Sequence, residues 1–351
     1  MATDPQLGAL RLPWLAAPLS RLLATQSAHA LLVHGPAGVG QFELGLALAQ
    51  AWLCEDLSPP LAQRPCERCA SCRLVQARSH PDLIVLVPEA LREALGWAAS
   101  EVEDGGEERA GKRKPSKEIR VDAVRGAIEF ATTTSARGRG KVVVVHPAER
   151  MNEVAANAFL KTLEEPAGDA RFVLSSAAPD ALLPTIRSRC QAVALPLPPQ
   201  EESEAWLAGQ GVENPGVLLQ ACGGQPQEVL AWRALGIDAA MWRALPGRVA
   251  RGEADAFAGW PLALVVEALQ KLCHDAMAIA CAAAPRYTAA GALAGPSDLR
   301  KLLAWAGELR RVARDAEHPW TLGLSVDALV QQGREALKTA RSPAGPAPAS
   351  R

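Results

Sequence analysis

Two clusters of residues have types and spacing that could do chemistry. The first is Leu31-Leu-Val-His-Gly-Pro-Ala-Gly-Val-Gly-Gln-Phe-Glu43, a short apolar run, a glycine-rich turn and the opening of a helical pattern. A phosphate-binding loop reads G-x-x-x-x-G-K-[ST] between a strand and a helix. Gly35 and Gly40 stand at its glycine positions, with Gly38 between them, but Gln41 and Phe42 replace the lysine and the hydroxyl residue. In such a loop the lysine brings charge to the β/γ-phosphates and the hydroxyl holds Mg²⁺. An amide and a phenyl ring do neither. Backbone amides at a helix N-terminus still cradle an anion without a side chain. Gly35, Gly38 and Gly40 are therefore a candidate phosphate cradle from which the hydrolytic chemistry is missing.

The second cluster is Cys54 followed by Cys66-Glu-Arg-Cys69-Ala-Ser-Cys72. Three cysteines two residues apart, with a fourth upstream, can supply four thiolates to one tetrahedral ion. A closed four-thiolate zinc site is structural, since no position stays open for water or substrate. Pro59, Pro60 and Pro65 make the linking segment too irregular to stand without such a staple. Free thiols are the alternative reading. Cys190, Cys222, Cys273 and Cys281 stand apart and are expected to be small core residues.

The elements that must position these groups follow from periodicity. Residues 5–28 predict a helical lead-in with Trp14, Leu19, Leu22 and Leu23 inward, and the helix after the glycine loop is expected to end near Cys54. Apolar strands are predicted at 83–87, 141–146, 171–175 and 192–195, besides the one before Gly35. Between them lie a helix from Ile119, capped by Asp122, and a helix over 152–165 with Val154, Ala158, Leu160 and Leu163 as its apolar positions, stopped before Pro166. Apolar strands alternating with helices predict a parallel five-stranded sheet covered on both faces. In an active ATPase the strand at 141–146 ends in an aspartate that helps hold Mg²⁺. Here His146 and Pro147 stand at its end. Two parts of one catalytic apparatus are thus missing together.

Length and composition bound the remainder. The 351 residues suggest two or three domains at roughly 100–200 residues each. With 49% hydrophobic and 21% charged residues and a net charge of −1, no global basic field argues for wrapping nucleic acid. The first residues, Met-Ala-Thr-Asp-Pro, lack the layout of a signal peptide, and the most apolar later stretch carries Glu267, Lys271, His274 and Asp275. No membrane association and a cytoplasmic location are expected. Residues 88–118 pass from an acidic block to a basic one and are expected to be a solvated insertion. Residues 198–237 are expected to form a helical lid and 238–340 a helical bundle, with Leu299, Leu302, Leu303, Ala306, Leu309 and Val312 on one face. Residues 341–351 form a low-complexity tail expected to be disordered.

Asn157-Ala-Phe-Leu-Lys-Thr-Leu-Glu-Glu-Pro166 and Ser188-Arg-Cys190 resemble signature segments of bacterial clamp-loader subunits of the AAA+ superfamily. The four-cysteine insertion is shared by that family's motor subunit and its stator, and the altered loop and strand end select the stator. The likeness covers residues 5–200; the insertion at 88–118 departs from it. It implies an AAA+ domain over 1–197, the lid, and a collar at 238–340 through which subunits form a ring. It implies that Arg189 acts in trans as an arginine finger on ATP held by a neighbouring motor subunit, with Arg187 as its nearby control. A later sensor arginine of the family is replaced by Gln227. The implied partners are the motor subunit (gamma/tau) and the delta subunit, with the sliding clamp and primed DNA reached through the complex. Structural zinc is the expected cofactor, and ATP hydrolysis by this chain is not expected. An active AAA+ ATPase is the alternative.

Overall fold

The computed structural model describes residues 12–25, 28–97, 115–314 and 322–338. Its first unit, Met1–Glu202, is built on five parallel strands: β1 Ala30–His34, β2 Leu83–Leu86, β3 Val142–Val145, β4 Arg171–Ser176 and β5 Gln191–Ala194. Their order is β2-β3-β4-β1-β5. Four consecutive valines in β3 are all buried, as a strand covered on both faces requires. The register pairs Ala30 with Phe172 and His34 with both Ser176 and Ala194. The sheet reverses its order of growth at β1, between β4 and β5, and its carboxyl edge there is where open α/β sheets place ligands.

Among the described residues seven helices lie in this unit: α1 Ala16–Thr25, α2 Gln41–Leu53, α3 Ala70–Gln76, α4 Glu89–Arg92, α5 Val121–Thr132, α6 Glu153–Glu164 and α7 Pro184–Arg187. On one face α2 approaches closely, because a Cβ on Gly45 would stand only 3.2 Å from Val173 and 3.5 Å from Val144. The other face carries α5 and α6, whose Val124, Ala127, Phe159 and Leu163 share a core with Val143, Val145, Phe172 and Leu174. Phe159 and Phe172 meet edge to face with ring centroids 5.4 Å apart.

Several expectations need correction. The buried stripe of α6 is Ala155, Ala156, Phe159 and Leu163, while Val154 is 61% exposed. The bulky ring of Phe159 sets the rotation of the helix, and Val154 then points away. Asp122 lies inside the first turn of α5 beside Arg125; Arg120 is the residue before that turn, with no side-chain cap. Much of the expected insertion, residues 98–114, lies outside the described residues. Its two stems are ordered, since Glu89 accepts the Ser116 N–H and the Ser116 carbonyl accepts from Ala90. The tail at 341–351 also lies outside the described residues.

The second unit, Ser203–Arg351, is helical. After α8 Gln200–Gly209 come α9 Pro215–Ala221, α10 Pro226–Ala234, α11 Ala239–Arg251, α12 Leu262–Ala280, α13 Leu299–Arg314 and α14 Leu322–Ala336. One core runs through them, with Trp232 stacked obliquely on Trp242 at 5.2 Å and near Trp260 at 6.4 Å. The inward face of α13 is Leu302, Trp305 and Leu309, and Leu299 and Leu303 are exposed, because Trp305 claims the core side. Cys190, Cys222 and Cys273 are buried as expected, but Cys281 is exposed beyond the end of α12. Among the described residues no helix is long and apolar enough to cross a membrane.

Phe159→Ala should lower stability by about 3–5 kcal/mol, the usual cost of deleting a fully buried ring. Val154→Ser should stay within about 0.5 kcal/mol. Urea unfolding of the two variants against the parent separates the true inward face of α6 from the expected one.

Candidate functional site: a filled loop, four cysteines and a half-buried arginine

The glycine loop joins β1 to α2 at the carboxyl edge of the sheet. Glycine is required at both ends of it. A Cβ on Gly35 would collide with the Leu195 carbonyl, and Gly40 has φ +103° with Leu12 and Leu15 pressed against it. Gly38 also has positive φ. Trp14 donates its indole N–H to the Val39 carbonyl at 2.8 Å, so the segment ahead of α1 braces the loop from outside.

The departures at positions 41 and 42 have a visible use. Gln41 is buried, and its amide turns back to donate to the Gly35 carbonyl at 2.8 Å and to the Pro36 carbonyl. Phe42 stacks on His146 at the end of β3, with centroids 4.6 Å apart and planes 23° from parallel. His146 Nδ1 bonds Ser175 Oγ at 2.9 Å, and that hydroxyl donates to the Val145 carbonyl. Burial pushes the imidazole down to about 4, against a small opposing effect of Glu149, so it is neutral near pH 7. The amide satisfies loop carbonyls from within, and two neutral rings close the space between loop and strand end.

The four cysteines come together at the far end of α2. All four Sγ atoms lie within 4.8 Å of one another. The Cys54–Cys69 and Cys66–Cys72 pairs are 4.0 and 3.9 Å apart. Tetrahedral thiolates at about 2.3 Å from zinc stand about 3.8 Å from each other. Amide N–H groups of Cys69 and Cys72 point at the sulfurs of Cys66 and Cys69, at 3.4 and 3.3 Å. Burial opposes ionisation of Cys69, but backbone N–H bonds outweigh it and bring the thiol down to about 7. Burial raises Cys54 and Cys72. A cation would offset that cost, so the donor set fits a closed site that could hold a metal ion.

A polar assembly that the sequence reading missed ties this module to the sheet. Fully buried Asp82 accepts from Ala136 N (2.8 Å), Arg137 N (2.9 Å) and Ser135 Oγ (2.9 Å), and pairs with Lys141 at 3.2 Å. Those bonds outweigh the burial that opposes its charge and hold its carboxyl below the ordinary value. Arg137 pairs in turn with Glu55, next to Cys54, and Glu55 accepts the Ser71 N–H. Ser71 Oγ reaches His80 Nε2 at 2.6 Å. The run His80-Pro-Asp82 was the available signal: polar residues directly before a strand that is otherwise wholly apolar.

Arg189 sits in the turn between α7 and β5. Its Nη1 donates to the Thr185 carbonyl at 2.9 Å, its Nη2 pairs with Glu164 at the end of α6, and its Nε is buried with no hydrogen-bond partner among the described residues. Arg187 is exposed and pairs with Asp180 at 2.9 Å. Gln227 lies in the first turn of α10.

The sequence model of the family described as "DNA polymerase III, delta subunit" matches residues 17–199. The chain is 40% identical to the DNA polymerase III subunit delta′ of Pseudomonas aeruginosa over 61% of its own length and 58% of that protein's. It is 31% identical to the subunit of the same name from Escherichia coli K12, over 74% of this chain and 76% of that one. Among solved structures it is similar to a DNA polymerase III gamma subunit-related protein from Thermotoga maritima. That match is 18% identical, has a TM-score of 0.47, and covers 92% of this chain and 99% of that one.

Protein purified without added metal should carry about one tetrahedral metal ion per chain, by elemental analysis. Cys69→Ser should release it, and so should a chelator under denaturing conditions. Retention of the ion after two of the four cysteines are replaced would exclude the site. The His146 ring gives a pH effect with a definite sign. Its ordinary value is 6.5 and its value here about 4, so between those limits protons bind the unfolded chain first. Stability should therefore be complete above pH 6.5 and fall as pH is lowered towards 4. In urea titrations across that window, His146→Gln should show the shallower loss.

Proposed function

The chain belongs to the delta-prime family of DNA polymerase III subunits, and from that premise we propose that it is the non-hydrolysing stator of a clamp loader. The observation that carries this reading is the Phe42 ring stacked on His146 at 4.6 Å, with Gln41 folded back into the loop it follows. The place where a nucleotide hydrolase keeps a lysine, a hydroxyl and a strand-end carboxylate holds an amide, a phenyl ring and a neutral imidazole instead. None of these three side chains supplies positive charge to a β/γ-phosphate as a lysine does, or a carboxylate or hydroxyl to Mg²⁺.

The contribution of the subunit is then made in trans. Arg189 reaches across an interface to the γ-phosphate of ATP on the neighbouring motor subunit, gamma/tau. A guanidinium suits that role, being permanently charged and offering a planar fork of donors. The AAA+ domain at 1–197 presents this arginine, the lid at 198–237 follows it, and the collar at 238–340 makes most of the ring contact. The delta subunit lies on the other side. The assembly opens the sliding clamp and closes it on primed DNA in the cytoplasm. The cysteine module carries structural zinc, held by Cys54, Cys66, Cys69 and Cys72, and does no chemistry on substrate.

An arginine finger can be worth about 10³–10⁵ in rate. Arg189→Ala should leave this chain folded and the ring assembled, while hydrolysis at the one motor site facing it becomes silent. Total ATPase should fall in part and clamp loading further, with Arg187→Ala close to the parent. The isolated chain should show only background turnover. Assembled complexes carrying Arg189→Ala that load clamps at the parent rate would overturn the reading.

A further inference from the structure

Glu164 is the last residue of α6, and Glu165 and Pro166 follow it. A carboxylate is poorly placed there, because the last turn of a helix exposes carbonyl groups and carries the negative end of the helix dipole. Nor is Glu164 needed to end the helix, since Pro166 already stops it. Its side chain is half-exposed, outside the α5–α6 core. What it does touch is the guanidinium of Arg189, twenty-five residues onward in the chain.

The manner of that contact is specific. Of the five N–H groups of a guanidinium, one on Nη2 is taken by Glu164 and one on Nη1 by the Thr185 carbonyl. Each terminal nitrogen keeps a second hydrogen, and Nε is buried without a partner among the described residues. The two anchors come from the end of α6 and from within α7, both fixed on the sheet by buried Phe159, Leu163 and Ile186. An arginine has several rotatable bonds, and ordering them at the moment an anion arrives is costly in entropy. Here they are ordered beforehand.

We propose that Glu164 is a positioning residue for Arg189, holding the guanidinium in place so that its remaining N–H groups meet an anion presented by a neighbouring subunit. This rests on the reading of Arg189 as a finger in trans. Glu164 touches no nucleotide itself. Its effect is on how often the fork is correctly placed, and an error of about 1 Å in such a group can cost roughly 10²-fold. Its loss therefore weakens the transition state at the adjoining site more than it weakens assembly or ATP binding. Because an ion pair this exposed contributes little to stability, the fold does not depend on it.

The test uses the complete clamp loader, assembled with motor subunits that lack their own finger arginine, so that only the site facing this chain hydrolyses ATP. Glu164→Ala should lower single-turnover hydrolysis about 10-fold or more at an unchanged half-saturating ATP concentration, and by less than Arg189→Ala does. Glu164→Gln should fall similarly, since it keeps the shape and loses the charge. Glu164→Asp should recover part of the rate. Melting of the free chain and subunit binding should match the parent throughout. If Arg189→Ala silences the site and Glu164→Ala hydrolyses at or above the parent rate, the positioning role is overturned and the finger stands. A loss that follows weaker subunit binding or a lower melting temperature also overturns it. Parent-level hydrolysis in Arg189→Ala overturns the finger and this inference with it.

Discussion

The buried charge of Asp82 is the constraint on which the first unit depends. A carboxylate with no access to water is tolerated only when its oxygens are satisfied and its charge is matched. Both conditions are met by residues that are far apart in sequence. Lys141 at the start of β3 supplies the charge and itself lies 4.2 Å over the Phe130 ring, and the 135–137 turn supplies the donors. Satisfying Asp82 therefore fixes the register of β2 against β3 and the course of the turn ahead of β3. Through Arg137 and Glu55 it also fixes the approach of the cysteine module to the sheet. One desolvated group thus ties together β2, β3 with the turn ahead of it, and the cysteine module.

What the sequence made legible was whatever had a strong period or a fixed spacing. The valine run of β3, the glycine positions at Gly35 and Gly40 and the four cysteines each follow from local chemistry, and all appear where expected. The errors have a common cause. Val154 and Leu303 are apolar and sit at plausible spacings, yet both face outwards, because the phase of a helix is set by its bulkiest inward side chain: Phe159 in α6 and Trp305 in α13. Phase is decided by packing against residues remote in sequence, and counting intervals cannot reveal it. Asp122 failed as a cap for a smaller reason: the helix begins one residue before it, and boundaries shift easily by that much. The partners of Arg189 were equally hidden, since nothing in the local sequence brings Glu164 to it.

Gln41 shows how a glycine loop carries a structural obligation of its own. A tight glycine loop turns backbone carbonyls inwards, and these need donors whether or not a ligand is present. With no charged side chain at position 41, the primary amide of glutamine supplies two donors in that place. It uses both, on Gly35 and Pro36. An aliphatic side chain of similar volume would fill the space and leave those carbonyls unpaired.

The stack of Phe42 on His146 has a consequence of a different kind. Both rings belong to one chain, so their effective concentration towards each other is set by the fold and does not dilute. A loop that depends on a dissolved molecule gains stability by mass action and loses it when the molecule becomes scarce. This junction between loop and strand end draws on no such reservoir. Its geometry is set when the chain folds, and the contact between the two rings does not vary with the concentration of anything outside the chain.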